Sequence, residues 1–261
     1  MAMKEINAIF TIALRDFTKL LRDRTRILAS FIFPIIFIGV LGGSLQANLS
    51  SDVGYNFLDF VFIGVLGQTL FQSTAAGLIS LIEDRENDFS QEIFVSPISR
   101  YTIIVGKIIG ETLVALTQTL GIIVFGIIIG VPFGLSNMIS LFPAALAAAF
   151  LGGSFGVLVL ANLGAQRSAN QIFPFLIFPQ FFLAGVFNPI KTLPPVLHQI
   201  SRMVPMTYAV DLFRSIYYYG TPEYDKVVLF DPLFDLLIIG VMSTIFIVIG
   251  TYLFVRNERN K

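Results

Sequence analysis

The sequence contains no cysteine and a single histidine, His198. The first absence excludes a disulfide framework and a thiolate metal centre. The second leaves too few imidazoles for a histidine-based metal site. Charge is scarce as well. Charged residues make up 13% of the 261 positions, where soluble domains carry about 25%. Hydrophobic residues make up 55%, and the mean hydropathy is +0.81. These values belong to the membrane class. Lys+Arg and Asp+Glu both number 17, so net charge says nothing about partners, and the information lies in where the charges fall.

Signatures of chemistry are missing too. Gly106-Lys107 matches only the end of a phosphate loop. Tyr101 stands where that loop needs its first glycine, and Ile108 stands where it needs Ser or Thr. The chain is therefore expected to catalyse nothing alone, and to hold neither a metal nor a cofactor of its own.

Charge-free runs cover 27–51, 60–82, 112–166, 168–190 and 236–255. A spanning helix needs about 20 apolar residues. The longest run is split by "GVPFGLSN" at 130–137, a stretch rich in turn residues. The pattern predicts an all-α membrane protein of six transmembrane helices, at about 27–46, 57–82, 102–129, 139–161, 171–187 and 233–255. Six spans put both termini on one side. With that side cytoplasmic, 13 of the Lys and Arg residues lie inside and 4 outside, as basic residues should.

Residues 4–26 read as an amphipathic helix in the inner membrane interface. Ile6, Ile9, Phe10, Ala13, Phe17, Leu20 and Leu21 recur at helical spacing on one side. Arg15, Lys19, Arg22 and Arg26 form the basic stripe opposite, suited to anionic headgroups and cytosol. In the fourth span Ala144, Ala148, Gly152 and Gly156 repeat every four residues, a stripe that lets helices approach closely within the bundle. Asp59 and Asp235 fall at the outer ends of spans. Lys107 and Glu111 lie one turn apart and can pair. No chain of acids crosses the membrane and no internal repeat is visible, which leaves an ATP-independent carrier or channel as the weaker alternative. Residues 188–232 form a long outer region punctuated by Pro189, Pro194, Pro195 and Pro205. Its two short amphipathic pieces are too short to span, and must lie in the interface or re-enter among the spans between helices five and six.

Between the second and third spans stands a charged connector, "EDRENDFSQEIFVSPISR", at 83–100. Followed by "YTIIVGKIIGETL", it resembles the segment after the second span in ABC-2 type transporter permeases. "FPFLIFPQFFLAGVFNPIKTLPPVLHQISRMVPMTYAVDLFR" is similar to the same family's C-terminal signature, with Pro205, Thr207, Tyr208, Asp211 and Arg214 in its tail. Met206 departs conservatively from the residue usual there. The ordered set covers essentially the whole chain, 1–261, as one ABC-2 type transmembrane domain.

The resemblance implies the permease half of an ABC exporter in the cytoplasmic membrane of a prokaryote. Such a permease works as a homodimer, or beside a similar permease, above two cytosolic ATPase subunits that carry ATP and Mg. It implies that 83–97 is the coupling segment seated on the ATPase, with Glu83, Asp84, Arg85, Glu86, Asp88, Phe89 and Glu92 as its contact face. Ser96 and Pro97 would end its helix. It implies an outer exit gate around Pro189, Pro194, Pro205, Tyr208, Asp211 and Arg214. The cargo implied is an amphipathic drug, a lipid or a lipid-linked glycan. No nucleic acid partner is expected.

Overall fold

The computed structural model describes residues 2–44, 46–47, 54–86 and 99–259, and among them the regular elements are all helical. Helix α1 (Ala2–Arg22) leads into α2 (Arg24–Ile36), which continues through a π turn at Phe37–Gly42. The π turn follows Pro34, whose ring and missing N–H disturb the helical ladder. The two helices meet at 76°. The corner falls on Arg22-Asp23-Arg24, three charges in a row. The turn sets these charges apart from the apolar run that begins at Ile27.

Helix α3 (Phe57–Gly77) starts at Asn56, whose side chain accepts hydrogen bonds from the Leu58 and Asp59 amides. A short break leads to α4 (Ser80–Glu86). Helix α5 (Arg100–Ile128) is capped by the Ser99 hydroxyl, which accepts from the Thr102 amide. Gly130 turns the chain with a φ of 93°, a conformation glycine adopts without a side-chain clash. Then come α6 (Leu135–Leu160), α7 (Gln166–Leu183), a 3₁₀ turn (Ile190–Thr192), α8 (Pro195–Ser201), α9 (Pro205–Tyr217), α10 (Tyr224–Val227) and α11 (Pro232–Arg259).

Among the described residues four stretches are helical, long and apolar enough to cross a bilayer: Phe57–Asp84, Tyr101–Ile128, Leu135–Leu160 and Tyr224–Phe254. The bent pair Lys4–Arg22 and Ile27–Gly42 makes a fifth if taken as one span. The sequence predicts another at 171–187. Helix α7 covers much of it, but carries Arg167, Asn170, Gln171 and Gln180 and is interrupted by Pro174 and Pro179. It does not qualify by length and composition alone.

Helix α3 is the axis of the bundle. It is buried on nearly every side, from Phe57 to Gly77, between α5, α6 and α9. The small-residue stripe of α6 explains one of these contacts. A Cβ placed on Gly152 would lie 2.1 Å from the Phe71 carbonyl oxygen, and one on Gly156 would lie 2.6 Å from that of Ala75. The stripe packs α6 against α3 inside the chain, backbone to backbone.

Helix α9 is buried from Met206 to Ser215 and is bolted at three places. The Tyr208 hydroxyl donates to the Arg202 carbonyl at 2.6 Å. Asp211 accepts from the Leu229 amide at 2.8 Å and the Phe230 amide at 2.7 Å. Arg214 donates to the Val186 carbonyl at 3.1 Å and lies 3.6 Å above the Phe60 ring, a desolvated cation–π contact. Burial pushes the Asp211 carboxyl above the ordinary carboxylate range, against the pull of its two amide donors.

Two stability measurements follow in detergent solution. Gly152→Ala should lower the melting temperature, because overpacking a tight contact costs about 1–3 kcal/mol. Gly240→Ala, where a Cβ meets nothing within 4 Å, should leave it unchanged or raise it slightly. Asp211→Ala should destabilise by about 1–3 kcal/mol for each amide left buried and unpaired. Asp211→Asn, which keeps an acceptor oxygen, should lose clearly less.

Candidate functional site

Helices α1, α4 and α5 are joined by charge. Asp84, at the end of α4, accepts from Arg15 at 2.5 Å, from Lys107 at 2.7 Å and from Lys19 at 3.3 Å. Lys107 also contacts Asp16 at 3.1 Å and donates to the Ser80 hydroxyl at 3.1 Å. Lys107, Asp16 and Asp84 are buried at 2%, 4% and 7% exposure. A lysine this deep needs its counter-charges, because removing one partner of a buried pair costs about 3–5 kcal/mol. Lys107 thus finds partners on two other helices, where sequence spacing alone offered Glu111 on its own.

Helix α1 approaches α5 closely enough to make this cluster. A Cβ on Gly106 would lie 3.1 Å from Ile12, and one on Gly110 would lie 3.1 Å from Ala13 Cα. The face that docks includes Ile12, Ala13, Asp16 and Leu20, all buried, while Ile6, Phe10 and Leu21 stay exposed. The apolar stripe expected to face lipid is therefore shared between lipid and α5. At the other end of α1, Glu5 accepts from the Ser99 amide at 3.3 Å and from the Thr102 hydroxyl. Glu5 and Arg15 are ten residues apart, about 15 Å along a helix. One helix therefore holds the connector near both of its ends, at Asp84 and at Ser99.

Of the coupling residues read from sequence, Glu83 is half-buried beside a cleft and Asp84 belongs to the cluster. Arg85 and Glu86 lie on the last turn of α4, but their side chains, like that of Arg26, are outside the described residues. Asp88, Phe89, Glu92, Ser96 and Pro97 lie wholly outside them. Of the basic stripe, Arg15 and Lys19 turn to Asp84, and Arg22 is exposed at the end of α1. Pro189, Pro194 and Pro205 stand at the starts of the 3₁₀ turn, α8 and α9. Tyr208, Asp211 and Arg214 make the bolts of α9 described above.

The cleft beside Glu83 has a volume of about 580 Å³ and opens between α2, α3, α5 and α7. Gln68, Gln72, Ser73, Gln118, Gln166 and Asn170 give it a lining of neutral amides and hydroxyl. Phe33 lines it too and starts a ladder of rings. Phe33 stands 4.2 Å from Phe37 and 5.8 Å from Phe181, and Phe37 stacks on Phe187 at 4.7 Å. A reading that weighs only charged residues within spans passes over this cleft. The available signal was Gln68 and Gln72, one turn apart in an otherwise apolar helix.

Residues 152–156, "GGSFG", have the Gly-x-Ser-x-Gly spacing of a hydrolase nucleophile elbow. The elbow requires a strand-to-helix turn that exposes its serine. Here the five residues lie inside α6, Ser154 is buried, and its hydroxyl donates to the Phe150 carbonyl at 2.7 Å. The spacing is coincidental.

Comparison with known proteins agrees with this arrangement of apolar helices. The chain is 25% identical over 218 residues to ycf38 of Cyanophora paradoxa, named a transport permease, covering 81% of this chain and 74% of that one. It is 26% identical over 141 residues to YbhR of Escherichia coli (strain K12), named a multidrug ABC transporter permease, covering 53% of this chain and 38% of that one. It is 23% identical over 177 residues to YadH of the same strain, named an inner membrane transport permease, covering 67% and 68%. The ABC-2 type transporter model matches residues 7–218, and the chain, a multi-pass membrane protein, belongs to that family.

Proposed function

We propose that the chain is the permease subunit of an ATP-driven exporter, moving an amphipathic drug, lipid or lipid-linked glycan out across the cytoplasmic membrane. The ATP and Mg reside on separate cytosolic ATPase subunits, and two permease copies form the pathway. The carrying observation is the charged joint. Asp84 and Ser99 stand near the two ends of the connector, and both are tied to α1. A push delivered to residues 83–97 by a closing ATPase then moves α1, α4 and α5 together instead of flexing one loop. Through the corner at Asp23 the push passes to α2, one wall of the cleft. The exit gate is formed by the outer helices around Pro189, Pro194 and Pro205, with Tyr208, Asp211 and Arg214 holding α9. The names of the relatives support a transport role, and one of them supports the ABC class.

This reading has six spans, with α2 and α7 counted as the first and fifth, and both termini cytoplasmic. The lack of cysteine makes the topology simple to test. Single cysteines replacing Arg22 and Lys226 can be labelled in intact cells with a membrane-impermeant maleimide. Cysteine at 226 should react at once and cysteine at 22 only after permeabilisation; the reverse pattern would invert the topology.

Coupling is tested at Lys19, whose side chain is 51% exposed, so that a charge change there should not unfold the bundle. Lys19→Glu sets a like charge against Asp84, a penalty of about 1 kcal/mol at such a site. In the reconstituted permease–ATPase complex, transport per ATP hydrolysed should fall severalfold while basal hydrolysis persists. Unchanged coupling would remove the joint from the mechanism. Solute flux by the purified permease without any ATPase would replace the reading with a carrier or channel.

A further inference from the structure

Helix α11 carries an enclosed acid, Asp235, in its first turn. The residue is 0% exposed. Both of its carboxyl oxygens are buried, and no N–H or hydroxyl group among the described residues reaches either one. What reaches them is another carboxyl. The side chain of Asp211, itself 2% exposed on α9, lies within hydrogen-bonding distance. Two ionised carboxylates repel at such a distance, and neither has a hydrogen to donate. Acids placed this way stay together by keeping one proton between them.

We propose that Asp211 and Asp235 share one proton at neutral pH and form a titratable latch between α9 and α11. The surroundings divide the roles. Asp211 accepts from the Leu229 and Phe230 amides and faces the charges of Arg214 and Lys191, so it is the member equipped to be the anion. Asp235 faces Asp231 and Tyr208. The Tyr208 hydroxyl is already committed to the Arg202 carbonyl, and the Arg202 guanidinium lies over the Phe230 ring. Tyr224 of α10 faces Asp231 and both members of the pair. Helix α6 packs along α11 and has no titratable side chain in its sequence. Asp235 therefore carries the proton and donates it to Asp211. With Arg214 counted, one shared proton leaves the buried group neutral, and an excess charge enclosed by protein is costly. A metal cation in its place would need several free oxygen ligands, whereas the Asp211 oxygens are already bonded to amides. Loss of the proton sets two buried anions against one guanidinium, and their repulsion loosens α11 from α9. The latch rests on the fold alone; in the exporter proposed above it adjoins the exit gate. An unfolded chain has both acids ionised at neutral pH, so the folded chain holds one more proton. The stability tied to the latch is thus present at neutral pH and lost as the pH rises and that proton leaves.

The experiment uses the purified full-length chain in detergent. Infrared spectra of the unaltered protein and of Asp235→Asn are subtracted at neutral pH. Asparagine donates to Asp211 as the protonated acid does, but cannot titrate. The difference should contain the carbonyl stretch of one protonated carboxyl, shifting to lower frequency in heavy water, present in the unaltered protein and lost in the variant. Raising the pH should remove the same band from the unaltered protein. Its melting temperature should fall over the same rise in pH, and Asp235→Asn should fall clearly less. A spectrum of the unaltered protein without that band would overturn the proposal, and so would an equal pH dependence of the two melting temperatures. A melting temperature that follows sodium or potassium concentration instead of pH would put a metal cation in the proton's place and overturn it too. Should Asp235→Asn not fold, the band of the unaltered protein and its loss on raising the pH decide the matter alone. None of these readouts needs a cargo or an ATPase, so they can fail while ATP-coupled transport stands, and hold if coupling fails.

Discussion

The structure depends on the neutralisation of one lysine. Lys107 is enclosed by protein, and an ammonium taken out of water is tolerated only against opposite charge. No single helix supplies enough of it. Asp16 comes from α1 and Asp84 from α4, while Arg15 and Lys19 balance the second acid. Helix α1 is thereby locked to two helices that lie far from it in sequence. Close approach follows from the same need. Gly106 and Gly110 let α1 lie near enough to α5 for Asp16 to reach the lysine. At Gly77 a Cβ would collide with Glu111, another buried acid of α5, so that glycine makes the corresponding room on α3.

The apolar core follows a different rule. Between α3 and α6 there is no charge to satisfy, and water-driven association has little force among lipid tails. Contact there comes from backbone proximity, achieved by glycine and alanine in register. The two rules divide the molecule. Shape holds the centre, and electrostatics holds the end where α1, α4 and α5 meet, at which a mechanical signal enters in the proposed cycle. The surroundings of α9 combine them, with Arg214 and Asp211 held by backbone groups and an aromatic face.

Much of this was legible in the sequence, for identifiable reasons. The long apolar helices follow from charge-free runs, and the turn at Gly130 follows from Gly and Pro chemistry. The packing stripe of α6 follows from a period of four. Each of these signals is local. What the sequence hid is mostly non-local. Lys107 and Glu111 are one turn apart on one helix, and spacing gives no hint that Asp16 and Asp84 also reach the ammonium. The basic stripe of α1 looks alike whether it meets headgroups or a carboxylate on another helix. The cleft beside Gln68 and Gln72 was hidden for another reason. Two amides in a long apolar helix mark a polar spot, but nothing in the pattern says that α2 and α7 leave an open cleft beside it. Helix α7 shows the opposite difficulty. Its prolines and amides make it a poor span by composition, although its residues form a wall of the cleft.

The hold of α1 on both Asp84 and Ser99 has a thermodynamic meaning for whatever binds between them. A tether with free ends must be gathered before it can dock, and that loss of freedom weakens docking. Here the two roots are already fixed to one rigid rod, so the closure entropy of the segment between them is met when the protein folds. In the proposed complex a docking subunit would contend only with the residues between the roots, and would bind more tightly for it.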